Sequence, residues 1–132
     1  MSLPRYLAIS LLKLVSLDTG KFDPDLWKGD HHTIVFRQTS WIRFLQQYDL
    51  IGMPREKVIE LLGSGVGHDK IKDRYTYALA YYCTGGSFVV VQMKNDKVES
   101  WCLFDGDKQA SEWHTNDVVI DADSLAVTPK SK

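Results

Sequence analysis

The spacing of apolar residues changes period after Asp73, and this change constrains the fold more than any other feature. Beyond it, RYTYALAYYC, SFVVVQMK and KVESWCLF are three runs of β-branched, aromatic and alternating residues, the pattern of strands. The first two runs join through Thr84-Gly85-Gly86, and the last two through Asn95-Asp96 between Lys94 and Lys97. Such short connections exclude parallel pairing, which needs a long crossover. The three runs therefore predict an antiparallel meander over residues 75–104, with the Ser87 strand at its centre. Gly106 closes the meander. Val118-Val119-Ile120 is a candidate fourth strand within the segment 105–132, and ADSLAVTPKSK reads as a fraying end.

Upstream of Asp73 the period is helical. Pro4 to Leu17 predicts an amphipathic helix within residues 1–20, with Leu7, Leu11, Leu14 and Val15 on one stripe. The alternative for this segment is a degenerate export signal. Residues 21–38 read as a loop, pinned to the core by Phe22, Leu26 and Trp27. A helix pair follows over 39–63. Its first member runs from about Thr39 to Tyr48, with Trp41, Phe44, Leu45 and Tyr48 at helical spacing. Its second, REKVIELLG, opens at Pro54, buries Val58, Ile59, Leu61 and Leu62, and ends at Gly63. SGVGHDKIKD reads as a flexible connector. The expected fold is one α+β domain, with two or three helices packed on one face of a three- to four-stranded antiparallel meander sheet.

The tight turn sets a register. If Lys94 faces Lys97, then Met93 faces Val98, Val91 faces Ser100 and Val89 faces Cys102. The core face then carries Val89, Val91, Met93, Val98, Cys102 and Phe104. The opposite face carries Phe88, Val90, Gln92, Lys94, Glu99, Trp101 and Leu103. With a strand between them, Cys83 and Cys102 stand about 9–10 Å apart at closest, beyond the roughly 7 Å that a disulfide bridges. Both read as buried thiols in a reducing cytoplasm.

The stretch GMPREKVIELLG, a Gly-rich gap, YTYALAYY and SFVVVQMKNDKVESW resembles the SmpA/OmlA family of small outer-membrane assembly lipoproteins, and the wider group with a β-lactamase-inhibitor-protein-like fold. Gly52, Val58, Leu61, Leu62, Gly63, Tyr77, Val89, Val91, Lys97 and Val98 carry the match, which spans about residues 52–104. The upstream FDPDLWKGDHH is similar to uncharacterised bacterial proteins that carry this unit without a lipid anchor. SmpA/OmlA proteins bear an N-terminal lipidated cysteine, which this sequence lacks. The resemblance implies an unlipidated helix-pair-on-sheet domain used for binding.

Composition excludes several function classes. With 16 basic and 17 acidic residues the net charge is −1, whereas nucleic-acid binding draws on a basic patch. No apolar run approaches the roughly 18 residues of a spanning helix. Ser64 in GSG follows a helix, not the strand that a nucleophile elbow requires. His31, His32, His68, His114, Cys83 and Cys102 show no metal-site spacing. Asp105-Gly106-Asp107 and Asp121-Ala122-Asp123 lack the ligand series of a calcium loop. Glu56, Glu60 and Glu99 qualify as acid–base groups by type only. GSGVGHDK fits no phosphate-loop spacing.

The expectation is a non-catalytic, cofactor-free module that binds another protein, or a second copy of itself, through the aromatic sheet face. Tyr82, Phe88, Val90, Trp101 and Leu103 would form its contact surface. A second reading is a small-molecule or lipid pocket between helices and sheet, lined by Trp27, Trp41 and the tyrosines. A third is an enzyme using loop Tyr, His and Glu side chains, for which no spacing asks.

Overall fold

A computed structural model describes residues 21–29, 34–82 and 85–130. The expected Pro4–Leu17 helix, His31, His32 and Cys83 lie outside them, as does the side chain of Tyr82. Three helices, α1 (Pro24–Gly29), α2 (Ile34–Gln47) and α3 (Arg55–Leu62), precede an antiparallel sheet. The sheet runs in chain order through β1 (Gly67–Asp69), β2 (Arg74–Tyr82), β3 (Gly85–Lys94), β4 (Lys97–Asp105) and β5 (Lys108–Gln109). A separate hairpin joins β6 (Val118–Ile120) to β7 (Val127–Pro129). The expected α+β meander is present, with β3 inside it. No helix among the described residues is long and apolar enough to cross a membrane.

Several elements differ from the expectation. The 21–38 loop contains α1, too short to show a period. The Asp23 carboxylate starts it by accepting from the amides of Asp25 (2.9 Å) and Leu26 (3.2 Å), with Pro24 as its first residue. The next helix begins at Ile34, earlier than Thr39. The buried Arg37 on it stacks 3.8 Å over the Trp27 ring. The Arg37 guanidinium also donates to the carbonyls of Trp27 and Ala78, tying α1 and β2 to α2. The Gly-rich connector is ordered: it forms β1 on the edge of β2. Gly65 is required there because its φ is +72° and a Cβ would stand 2.0 Å from the Thr76 carbonyl oxygen. The tail pairs β7 with β6, where a fraying end was expected.

The largest correction is to the register. Lys94 does face Lys97, and Met93 faces Val98, but Gln92 then faces Ser100 and Val91 faces Trp101. Glu99 is an extra residue, a β-bulge. One added residue moves every later side chain to the other face. Trp101 and Leu103 therefore join Val89, Val91, Met93 and Val98 on the core face. Cys102 and Phe104 leave it for the face of Phe88 and Val90.

The core is aromatic. Trp27, Trp41, Trp101, Tyr77 and Phe44 are all almost fully buried, with Val58, Leu61 and Leu62 from α3. The Trp41 ring meets Trp101 edge-on at 5.3 Å and stacks on Phe44 at 5.4 Å. The free carbonyls at the end of α3 find side-chain donors. Trp27 Nε1 donates to Leu62 O at 3.0 Å, and the Tyr77 hydroxyl donates to Gly63 O at 2.8 Å. Because Trp101 is fully buried, Trp101→Ala should cost about 3–5 kcal/mol of stability. Urea denaturation followed by circular dichroism checks this; a loss below about 1 kcal/mol would contradict the register.

Candidate functional site

A groove of about 400 Å³ lies between α2, the sheet and the β6–β7 hairpin, within the usual size range of ligand pockets. Helix α2 contributes Trp41 and Ile42, β2 contributes Leu79 and β4 contributes Leu103. The outer wall is Ile120, Leu125 and Val127 from the hairpin, and Gln38, Thr39 and Asp123 supply polar groups. Leu79 is set by a second bulge, where the pairing of β2 with β3 shifts between Ala78 and Ala80. Bulges re-aim side chains, and they cluster next to sites.

Leu125 stands out on this wall. Four non-glycine residues among those described have positive φ: Asp73, Asn95, Asp96 and Leu125, the last at +61°. Asp and Asn tolerate this conformation well, whereas an ordinary L residue gives up roughly 1–2 kcal/mol to adopt it. Leu125 is also 63 % exposed, so burial within this chain offsets little of that strain.

The sequence-predicted contact residues do not form one surface. Trp101 is core and Leu103 is half-buried against it, with a part in the groove. Phe88 and Val90 lie on the opposite face. That face is partly covered by the chain after β5. There Trp113 packs 6.3 Å from Phe104, and the Arg74 guanidinium lies 4.9 Å over the Trp113 ring. Cys102 is buried there, its thiol donating to Ser111 O at 3.2 Å. Of the residues expected to line a pocket, Trp41 does line the groove. Trp27 does not, and neither do Tyr75 or Tyr77.

Sequence reasoning also missed a charged clamp. The Arg55 guanidinium donates to both Asp73 carboxylate oxygens, at 2.8 and 2.7 Å, and to Asp96 Oδ1 at 2.6 Å. His68 Nε2 stands 2.8 Å from Asp73 Oδ1, and its ring stacks 4.3 Å from Tyr75. The clamp ties the start of α3 to the β1–β2 and β3–β4 turns. Its residues lie 5 to 41 positions apart in the chain, so no local motif announces it.

Compared with known proteins, the chain matches no family model, no curated protein and no solved structure.

Hydrogen bonds from Arg55 hold the Asp73 carboxyl well below the usual carboxylate range. The ion pair therefore stabilises the fold above about pH 4, and this contribution is lost as pH falls below it. Asp73→Asn should lower stability at pH 7 by roughly 1–2 kcal/mol, a modest figure because the pair is partly exposed. It should also flatten the acid limb below about pH 4. Denaturant titrations from pH 2 to 7 measure both; an unchanged acid limb would contradict the role of Asp73.

Proposed function

We propose that this is a non-catalytic binding domain that holds the apolar part of a small amphipathic molecule in the groove between α2 and the β6–β7 hairpin. The observation that carries this reading is Leu125: a strained, exposed leucine on the rim of an apolar groove, where the backbone favours Asn or Gly. Strain of this kind is retained where the side chain has work to do. The groove offers apolar contact from four elements, while Gln38, Thr39 and Asp123 can meet the polar end of the ligand.

The resemblance of residues 52–104 to SmpA/OmlA and β-lactamase-inhibitor-like domains supports binding over chemistry. The small-molecule reading replaces docking of a protein on the aromatic sheet face. That docking needed Trp101 and Leu103 beside Phe88 and Val90, and the Glu99 bulge separates the two pairs.

The test is titration with N-phenyl-1-naphthylamine, whose emission rises in apolar surroundings, together with native mass spectrometry for a co-purifying ligand. The wild-type chain should show one saturable site. Leu125→Asn should weaken binding about tenfold, the value of one buried leucine contact. It should leave stability unchanged or slightly raised, because it relieves the backbone. Equal affinity in Leu125→Asn would overturn the assignment of the groove.

A further inference from the structure

His114 sits where the chain after β5 is fastened to the sheet. Its amide donates to Trp101 O at 2.8 Å, and the Trp101 amide returns a bond to His114 O at 3.1 Å. The strip from 110 to 114 extends this fastening: Ala110 N donates to Leu103 O, and Leu103 N donates to Ser111 Oγ. The imidazole packs against the Trp101 ring at 4.4 Å, and Trp101 in turn meets Trp41 of α2. Through Trp41 and Leu103, this one strip supports the floor of the groove.

His114 is 9 % exposed, and its Nε2 is buried without a hydrogen-bond partner among the described residues. Such a ring sits comfortably when neutral. Once protonated, it would hold a buried N–H with no acceptor, at an energetic penalty. We propose that His114 is a proton-operated latch: mild acid frees the 110–114 strip from β4, loosens the groove floor and releases the bound molecule. The release half of this proposal rests on the groove being the binding site.

The surroundings fit a latch. A second cavity, of about 600 Å³, has His114 in its lining. Glu112 and Asp117 line that cavity from the same segment, and Lys130 lines it from the end of the hairpin. Glu112 favours protonation of the ring, but burial outweighs it and holds the imidazole below its usual range. The ring meets uncharged Trp101 on β4, and uncharged Ile51 lines the same cavity. Lys130 is held by Asp49 at 2.9 Å, and Asp117 accepts from Ile51 N at 3.0 Å. Both contacts lie outside the 110–114 strip. They keep the hairpin attached as a hinge while the strip opens.

The direction with pH follows from linkage. An open strip takes up a proton near the ordinary histidine pKa of about 6.5, and the closed one does so only at lower pH. Opening therefore grows as pH falls below about 6.5, by up to about tenfold per pH unit. Hydrogen exchange of the full chain at pH 7.5 and 5.5, corrected for intrinsic rates, reads this directly. Protection over residues 100–114 should fall several-fold on acidification in the wild type and in His68→Gln. It should not change in His114→Phe or His114→Gln, either of which suffices if the other fails to fold. A pH-independent wild type, or the same fall in the His114 variants, would overturn the latch. N-phenyl-1-naphthylamine is followed in parallel. Absence of binding at pH 7.5 sinks the groove reading and the release with it, while exchange still decides the latch. Binding that persists at pH 5.5 despite lost protection overturns the link between the two.

Discussion

One extra residue, Glu99, governs the molecule. The pairing of β3 with β4 begins where the tight Lys94–Lys97 turn puts it, then slips by one. The slip turns the Trp101 indole into the core, where it meets Trp41 from the helix above and His114 from the strip beside it. Without the bulge, the largest side chain of β4 would face away from the helices. The core would then have to be completed by Cys102 and Phe104. Burial of an indole outweighs the ladder bonds disturbed at a bulge, since a large aromatic contributes more than one or two net hydrogen bonds.

The two ends of the sheet are held by different physics. At the end carrying the β1–β2 and β3–β4 turns, Arg55 binds two carboxylates from separate turns and the Tyr75 hydroxyl, through four hydrogen bonds. That end is tied by charge. At the β4 edge the fastenings are short pieces of backbone: a two-residue strand, isolated bridges to Pro54 and His114, and a hairpin that sits apart from the main sheet. Cavities form on that side, on both flanks of the chain from 110 to 130. On the proposed reading, the ion-paired end is the scaffold and the β4 side carries the ligand.

Much of the scaffold was legible in the sequence. Strand periodicity after Asp73, two short connections and the LeuLeuGly end of a helix led to the meander, its central strand and α3. The missed parts share a physical character. The bulge at Glu99 is a non-local choice, made by how well Trp101 fills the core, while alternation along the strand is unchanged by it. Helix α1 is too short for a period and depends on one Asp23 carboxylate. β1 and β7 are three-residue strands that exist only because a partner strand is nearby, whereas β6 is the strand that Val118-Val119-Ile120 offered, set in a hairpin of its own. The groove is likewise assembled from four separate elements. Its most informative residue, Leu125, is marked by a backbone angle that no composition reveals.

The central claim is the β3–β4 register, and cross-strand contacts in NMR spectra of the full chain test it most directly. The structure predicts backbone contacts pairing Val91 with Trp101 and Trp101 with His114, together with a Trp101 indole shielded from a soluble paramagnetic probe. Contacts pairing Val91 with Ser100, with that indole open to the probe, would contradict it.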